Sequence, residues 1–550
     1  PVNKPTDHLM VSNRRRPWTL ETPEALHVVG ESGNGKFGKG GIGPLVTSFT
    51  QRKCCFTSVS CSTKDARPYP HFDQPYAATD DSVICPQYSN GIKGSIQCLR
   101  VNVYTPQNAL PGQDLPTMVF LHGGGFYEGS GSLKDWAPNF LIKHNVILVT
   151  VNYRLGPYGN LCIPNTKYNN QGLKDQVLAL KWGKRNIGKF GGDVNNIVLF
   201  GHSAGSVSAD IHLLYNRENL FNKVILQSGQ AASPLITDAT PYETYAKDIG
   251  MSDENIDIDR FIEKLASINV NTFINNTKHY IFRPCIDGDF ITSVPPTKNM
   301  QNIQIMVGDT DKETLFFYRD VTSFQSFDLS TDLRQAFTDS VVNVKNIDEI
   351  KERYGLKQEN EDRLKDLTID FGSDLLFNFP TVRSIRYYLQ SNATVYRYVF
   401  KYDGDRNFVK RRDHLTWPGA THGDELGYLF DIMSSNKITD LHVVDWICLL
   451  WTNFAKFGNP TPPPWSPELP VTWLPTTAAT ARYLQIDREL IILHGPYTAR
   501  MALRTTTEKF SKNRKHFSNT LPNPGIEPET PYTAVVLATT RPMRQIIKIL

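Results

Sequence analysis

The sequence lacks a long apolar run, is poor in cysteine and carries almost no excess of either charge. A membrane-spanning helix needs roughly 20 consecutive apolar residues, whereas the apolar runs here, such as 118–121 and 146–151, have the length of a strand. The 59 basic residues are nearly balanced by 55 acidic ones, so charge indicates neither a nucleic-acid nor a membrane-surface partner. We therefore expect a soluble chain with no membrane span and no nucleic-acid partner.

The 8 cysteines are too few for a disulfide scaffold, and no C-x-x-C spacing indicates a metal site. Most are expected to be buried or free thiols, and Cys448, in the apolar stretch 444–454, is expected to lie in the core. Two sequons, at Asn275 and Asn392, would be glycosylated only in a secretory compartment. The residues after Pro1 show no charged segment followed by an apolar one, so no secretion signal is visible.

The composition, 40% hydrophobic and 11% aromatic, is that of a globular protein with a large core. Residues 1–65 hold a basic patch and a glycine-rich run, which predicts an irregular segment. Residues 66–496 alternate β-rich apolar runs with helical patterns, which predicts a mostly parallel sheet with helices on both faces. Residues 497–550 form a basic, proline-containing tail that we expect to lie outside the core.

Short runs rich in Val, Ile, Leu and aromatic residues predict seven strands in the middle zone. They cover residues 99–104, 118–121, 146–152, 197–200, 223–227, 303–307 and 394–400. Apolar residues at helical spacing predict a helix over 172–186, and 207–214 also favours a helix. No internal repeat is present.

The clearest chemical motif is Gly201-His202-Ser203-Ala204-Gly205. It is a G-x-S-x-G sequence between a predicted strand and a predicted helix, the context in which a nucleophilic serine occupies a strained turn. Glycines two residues on either side avoid collisions in such a turn, and the start of the helix offers positive potential to a developing oxyanion. The motif therefore predicts a serine nucleophile.

A second motif, His122-Gly123-Gly124-Gly125-Phe126, also follows a predicted strand. Three consecutive glycines let backbone N–H groups approach a substrate closely, which is how an oxyanion hole is assembled in acyl-transfer enzymes. An ordinary tight turn is the alternative. The position of the run some 80 residues before Ser203 favours the oxyanion hole.

A serine nucleophile needs a base, and the base needs an acid, in the chain order serine, acid, histidine for such a fold. Asp309, Asp311 and Glu313 compete as the acid, and His414 competes with His422 as the base. The residues alone leave both choices open.

Taken together, the motifs of the middle zone resemble the type-B carboxylesterase and cholinesterase-like family of α/β-hydrolases, and most of all insect carboxylesterases, lepidopteran ones among them. The matching stretches lie in the order found in that family, over roughly 430 residues. They are residues 98–104, 122–126, 152–156, 172–176, 190–193 and 201–206. The resemblance implies an α/β-hydrolase fold and a serine carboxylesterase that acts on a small-molecule ester without a metal or other cofactor.

The resemblance also assigns roles. It implies Glu313, in the turn 308–313, as the acid and His422, in the loop 419–425, as the base. It implies the amides of Gly124, Gly125 and Ala204 as oxyanion donors, Ser228 as a serine next to the acid, and a disulfide between Cys85 and Cys98. That disulfide, the sequons and the family together imply a secreted protein.

Several features depart from the family. His202 stands where cholinesterases have Glu and many insect juvenile hormone esterases have Gln, although His is familiar there among insect carboxylesterases. We therefore do not expect a choline ester, and a juvenile hormone ester stays open without being favoured. Residues 1–65 do not match the family, and residues 521–531 resemble reading frames derived from repeated elements in moth and butterfly genomes.

Two other functions were weighed against the esterase. One is a cholinesterase-like adhesion protein without activity, which the complete set Ser203, Glu313 and His422 disfavours. The other is a truncated, inactive esterase, which the unusual ends suggest. Hormone, odorant, xenobiotic and dietary esters all stay open as substrates, and the sequence does not indicate an oligomeric state.

Overall fold

The computed structural model describes residues 80–163, 166–215, 218–233, 241–251, 257–292, 300–318, 361–464 and 466–494. The predictions for residues 1–65 and 497–550, and for Cys54, Cys55 and Cys61, lie outside the described residues. The division into an irregular start, an enzyme domain from 66 to 496 and a tail therefore stays a prediction.

A nine-stranded sheet forms the centre of the described chain. Its strands are β3 (Val101–Tyr104), β4 (Leu115–Leu121), β5 (Ile147–Val151), β6 (Gly192–His202), β7 (Lys223–Gln227), β8 (Gln304–Thr310), β9 (Thr394–Phe400), β10 (Tyr483–Ile486) and β11 (Leu490–Leu493). Their order across the sheet is β11-β10-β9-β8-β7-β6-β4-β5-β3. Only the outermost pairs, β3 with β5 and β10 with β11, are antiparallel. A small hairpin of β1 (Gln87–Tyr88) and β2 (Ile92–Lys93) precedes the sheet.

The helices connect these strands. They are α1 (Asn139–Ile142), α2 (Gly156–Gly159), α3 (Gln171–Asn186), α4 (Ala204–Tyr215), α5 (Tyr242–Asp248), α6 (Ile258–Ser267), α7 (Val270–Thr277), α8 (Glu361–Ser373), α9 (Phe379–Gln390), α10 (Phe408–Arg412), α11 (Leu426–Leu429) and α12 (Ile438–Phe457). Short 3-10 helices cover Ile187–Phe190 and Glu313–Tyr318, and a π-helical turn, Asp374–Asn378, precedes α9. In the part of the chain that the structure describes, none of these helices is both long and apolar enough to cross a membrane.

Two hydrophobic cores cover the two faces of the sheet. Alternate residues of a strand point to opposite faces, so Val119 and Leu121 of β4 belong to one core and Met118 and Phe120 to the other. The first core packs against α3, α4 and α9, and the second against α1, α11 and α12. The predicted fold class, a mostly parallel sheet with helices on both faces, is confirmed.

Strands in the middle of the sheet match their predicted bounds best. The predictions 223–227 and 394–400 coincide with β7 and β9, and α3 begins one residue before the predicted 172–186. β6 is much longer than the predicted 197–200, because it begins at Gly192, which pairs with Leu115, and the polar stretch 193–196 that follows interrupts the pairing with β4 and has no apolar pattern. The sequence did not predict β10 and β11, nor the hairpin of β1 and β2.

Four of the five cysteines in the described ranges form disulfides. Cys85 is bonded to Cys98, the pair that the family resemblance implied, and Cys162 is bonded to Cys285. The expectation that most cysteines are buried or free thiols is therefore wrong for these described residues. Cys162 and Cys285 are 123 residues apart, and nothing in either local sequence indicates the pairing. Cys448 is a free, buried cysteine of the second core, as expected.

The longer disulfide loop is expected to contribute more to stability. A chain-entropy model gives about 5 kcal/mol for a loop of 123 residues and about 3 kcal/mol for one of 13 residues. Replacing Cys162 and Cys285 by alanine should therefore lower the free energy of unfolding by more than replacing Cys85 and Cys98. Urea denaturation of both double variants under oxidising conditions measures this difference. Equal losses would show that strain or residual structure in the unfolded chain outweighs loop length.

Candidate active site

Ser203 lies in a sharp turn between β6 and α4, at the carboxyl edge of the sheet. Its φ of 56° is in the left-handed region that residues other than glycine rarely adopt. A Cβ at Gly205 would lie 2.0 Å from the carbonyl oxygen of Leu121, and one at Gly201 would lie 2.4 Å from the backbone of Gly205. The strand, turn and helix that the G-x-S-x-G motif predicts are present, and backbone approach requires both glycines.

The glycine run 122–126 follows β4 and lies against this turn. A Cβ at Gly123 would lie 3.0 Å from the Cβ of Ser203. Gly124 and Gly125 have φ values of 107° and 59°, which favour glycine. The Gly124 carbonyl oxygen accepts hydrogen bonds from two amides of the following turn, at 3.0 and 3.1 Å. The run therefore places Gly123 beside Ser203, and Gly124 and Gly125 follow it directly.

A buried carboxylate and a histidine meet at the same edge of the sheet. Glu313 Oε2 lies 2.7 Å from His422 Nδ1, and the Glu313 side chain is fully buried. Its other oxygen, Oε1, accepts hydrogen bonds from Ser228 Oγ at 2.6 Å and from the Thr310 amide at 2.7 Å. The carboxylate is thus held on both oxygens, and its bond to Nδ1 leaves Nε2 as the free nitrogen of the ring.

Hydrogen bonds join the loop that carries Glu313 to the loop that carries His422. The Lys312 amide donates to the Ala420 carbonyl oxygen at 2.9 Å, and the Ala420 amide donates to Asp311 Oδ1 at 2.9 Å. The His422 amide donates to the carbonyl oxygen of Glu313 at 3.3 Å. These bonds explain how two segments about a hundred residues apart hold one carboxylate against one imidazole.

The competing residues have other partners. Asp311 holds the amide of Ala420, and Asp309 Oδ1 accepts a hydrogen bond from Thr381 Oγ1 at 2.7 Å. His414 lies exposed in the turn after α10. Of the candidates that the sequence left open, the structure brings together Glu313 and His422.

Three aromatic rings surround His422. Its ring centroid lies 4.5 Å from that of His202, 4.9 Å from that of Phe377 and 5.3 Å from that of Phe316. Since His202 directly precedes Ser203, its contact with His422 places the His422 ring beside the serine turn. Neither Phe316 nor Phe377 was predicted as a site residue, because both lie more than a hundred residues after the glycine run 122–126 and the serine motif 201–205.

The other two histidines near the site are uncharged. The pKa of His202 lies well below its ordinary value, because of burial first and then the nearby His422 and Arg412. Burial lowers the pKa of His122 to about 4, and its ring stacks on Tyr153 at 4.4 Å. The walls next to Ser203 therefore carry no positive charge from these two rings at neutral pH.

Two further buried carboxyl groups flank Glu313, and no motif pointed to a role for either. Burial, followed by the charge of Glu313, raises the pKa of Asp309 to about 7. The same two causes raise the pKa of Glu425 to about 8. Glu313 is therefore surrounded by acids that tend to keep their protons.

The remaining predicted positions are the two sequon asparagines and Ala204. Asn275, on α7, and Asn392, in the turn after α9, are both exposed. Ala204 is the first residue of α4, directly after Ser203. In the described ranges, no group of three or more His, Cys, Asp or Glu side chains is arranged to hold a metal ion.

Comparisons with known proteins identify the family of this chain. The sequence model of the carboxylesterase family matches residues 64–509. Bile salt-activated lipase of Rattus norvegicus is 29% identical over 466 residues, which cover 77% of this chain and 75% of that protein. Juvenile hormone esterase of Tribolium castaneum is 29% identical over 453 residues, 70% of this chain and 75% of that protein. The crystal structure of juvenile hormone esterase from Manduca sexta, with OTFP covalently attached, matches with a TM-score of 0.70 and 26% identity, and covers 85% of this chain and 96% of that one.

Proposed function

The chain belongs to the carboxylesterase family of α/β-hydrolases and is a carboxylic ester hydrolase, and we propose that it works as a serine esterase with Ser203, His422 and Glu313 as its catalytic triad. One observation carries this proposal. The buried Glu313 carboxylate binds His422 Nδ1 at 2.7 Å, and the His422 ring lies beside the strained turn of Ser203. This is the geometry that a serine nucleophile, a base and an orienting acid need.

In the first half of the reaction, Ser203 Oγ attacks the ester carbonyl carbon while His422 Nε2 takes the hydroxyl proton. Glu313 keeps the other ring proton on Nδ1 and stabilises the imidazolium that forms. His422 then gives its proton to the alkoxy oxygen, the carbon–oxygen bond breaks, and the alcohol leaves an acyl group on Ser203. Because His202 stays neutral, it adds no positive charge that would oppose the formation of the His422 imidazolium, which the Glu313 carboxylate stabilises.

In the second half, water takes the place of the serine. His422 accepts a proton from the water, which attacks the acyl carbonyl carbon, and then returns that proton to Ser203 Oγ as the carboxylic acid leaves. Both tetrahedral intermediates carry an oxyanion. We propose that the amides of Gly124, Gly125 and Ala204 donate to it, because Ala204 directly follows Ser203, the glycine run contacts Ser203 at Gly123, and Gly124 and Gly125 adopt backbone conformations that favour glycine.

The substrate is proposed to be an uncharged ester of small to medium size. His202 is held neutral by burial, the rings of Phe316 and Phe377 pack near His422, and the Glu313 carboxylate behind the base is fully buried and bound to it, so these described groups offer no exposed anion to a cationic ester. A choline ester is therefore a poor candidate. Hormone, odorant, xenobiotic and dietary esters all have the chemistry that these groups accept.

We also propose that the protein is secreted. Two disulfides, Cys85–Cys98 and Cys162–Cys285, are stable in an oxidising compartment and are rare in the cytosol. Asn275 and Asn392 lie exposed, where a glycan could be attached.

Labelling with a fluorophosphonate tests the nucleophile directly, because the reagent phosphonylates only an activated serine. We expect one labelled peptide, carrying the adduct on Ser203, and complete loss of labelling in Ser203→Ala. Ser228→Ala is the matched serine variant and should still be labelled on Ser203, since Ser228 contacts Glu313 and not the substrate. Peptide mass spectrometry of the full chain reports the site, and labelling at another serine, or at none, would rule out the proposed mechanism.

A further inference from the structure

Glu425 connects the loop of His422 to the turn of Ser203. It lies three residues after His422, is 1% exposed, and its Oε1 accepts a hydrogen bond from Gln227 Nε2 at 3.1 Å. Trp451 Nε1 donates to Gln227 Oε1 at 3.3 Å, which leaves the Nε2 of that amide to face Glu425. The backbone carbonyl oxygen of Gln227, in turn, accepts the Ser203 amide at 2.9 Å. One glutamine therefore links the base loop to the serine.

The surroundings of Glu425 disfavour a negative charge. Its Oε2 is buried and has no hydrogen-bond partner in the described chain, and no described cation forms an ion pair with it. The ionisable groups that face it are Glu313 on the 3-10 helix, Tyr398 on β9 and Asp424 on its own loop, all of them acidic. Ionised Glu425 would place a second negative charge beside Glu313 in a buried site.

We propose that Glu425 is a protonated positioning residue, whose neutral carboxyl group holds the His422 loop against Gln227 and whose ionisation releases that loop and stops catalysis. The proposal rests on the proposed function of Ser203 and His422. It assigns to Glu425 no contact with the substrate. Its effect reaches the reaction only through the position of His422.

The direction of the pH dependence follows from the raised pKa. The pKa of Glu425 rises from an ordinary value of 4.5 to about 8 in the folded protein, because of burial first and then Glu313. The proton on Glu425 therefore contributes stability that is complete below pH 4.5 and is lost as the pH rises through 8. The His422 loop should therefore keep its position against Gln227 at neutral pH and be released reversibly in mildly alkaline solution.

Asp309 provides the matched control. It is as deeply buried as Glu425 and also lies near Glu313, but Arg397 lowers its pKa and Thr381 Oγ1 donates to it at 2.7 Å. Asp309 Oδ2, like Glu425 Oε2, has no hydrogen-bond partner among the described residues, but ionised Asp309 has the positive charge of Arg397 and the Thr381 hydroxyl to stabilise it. Its ionisation should leave the His422 loop in place.

The test is the pH profile of kcat/KM for an uncharged ester between pH 6 and 10, each protein being normalised to its own value at pH 7. With a single inactivating ionisation near 8, the wild type should retain about one tenth of its plateau at pH 9 and recover it on return to pH 7. Glu425→Gln, which is neutral at every pH, should retain more than half. Asp309→Asn and Glu425→Asp should both decline as the wild type does.

Each outcome has a separate meaning. If Glu425→Gln declines with the wild type, or if Asp309→Asn abolishes the decline, the proposal is overturned. Should Glu425→Gln fail to fold, the rate of fluorophosphonate labelling of the wild type at pH 9 decides the question. A reversible fall in the labelling rate with unchanged far-UV circular dichroism supports loop release. An unchanged labelling rate overturns the proposal. Absence of labelling and of ester hydrolysis already at pH 7 would instead refute the proposed function.

Discussion

Replacing His422 with asparagine is expected to lower kcat for ester hydrolysis about a million-fold, because the variant has no group to take the proton from Ser203 or to return it to the leaving alcohol. The imidazole is the sole titratable ring that contacts the buried Glu313 carboxylate among the described residues, at 2.7 Å. Asparagine fills a similar volume but accepts no proton at neutral pH. Single-turnover hydrolysis of a chromogenic ester measures the chemical step, and KM should change far less than kcat.

His414→Asn is the matched variant for this experiment. His414 lies exposed in the neighbouring loop with a φ of 55°, a conformation that asparagine tolerates well, so the protein should keep its fold and its kcat. If His414→Asn lost activity and His422→Asn kept it, the assignment of the base would be wrong. Equal and modest losses in both variants would mean that neither histidine transfers the proton.

The part of the site that the sequence predicted is the part that depends on local sterics. Ser203 and its turn follow from glycines at which a Cβ would lie 2.0 and 2.4 Å from backbone atoms, so substitutions there are incompatible with the turn. Gly124 and Gly125 in the neighbouring glycine run are restricted in the same way, because both have a positive φ and an added Cβ at either position would collide with nearby atoms. The glycines that meet these requirements lie within a few residues of each other in each motif, so a single sequence displays them, even though the atom nearest a Cβ at Gly205 belongs to Leu121 of the distant strand β4.

The pairing of Glu313 with His422, by contrast, depends on contacts between residues that are distant in the sequence. The two residues are 109 positions apart, and Asp309 and Asp311 offer the same functional group within four residues of Glu313. Only the hydrogen bonds between Asp311, Lys312 and Ala420 select which carboxyl group faces the imidazole. The residues alone could not choose, and the choice in favour of Glu313 came from the family resemblance.

Two of the features that sequence reasoning missed join distant segments. The disulfide of Cys162 with Cys285 spans 123 residues, and Glu425 meets Gln227 across 198. Neither contact leaves a local pattern, because each depends on where β7 and the neighbouring loops meet in the folded sheet. The central strands β7 and β9, whose apolar runs are buried on both faces, were by contrast predicted to the residue.

A Gly124→Ala variant should lose 100-fold to 1000-fold in kcat, about the effect of removing one donor from an oxyanion hole. Gly124 has a φ of 107°, and an added Cβ would lie 2.1 Å from the carbonyl oxygen of Glu128. The Glu128 amide donates to the Gly124 carbonyl oxygen at 3.1 Å, so the turn that closes the glycine run cannot accept the methyl group unless that bond opens. The amides of Gly124 and Gly125 would then move away from the position of the oxyanion.

Because the donors act mainly on the tetrahedral intermediate, the loss should fall on kcat, while KM should change only a few-fold. Gly183→Ala is the control: Gly183 lies within α3, and nothing lies within 4 Å of an added Cβ, so this variant should fold and turn over as the wild type does. Fluorophosphonate should still label Ser203 in Gly124→Ala, more slowly. Wild-type kcat in Gly124→Ala would show that the run 122–126 is a structural turn and that the oxyanion is bound elsewhere.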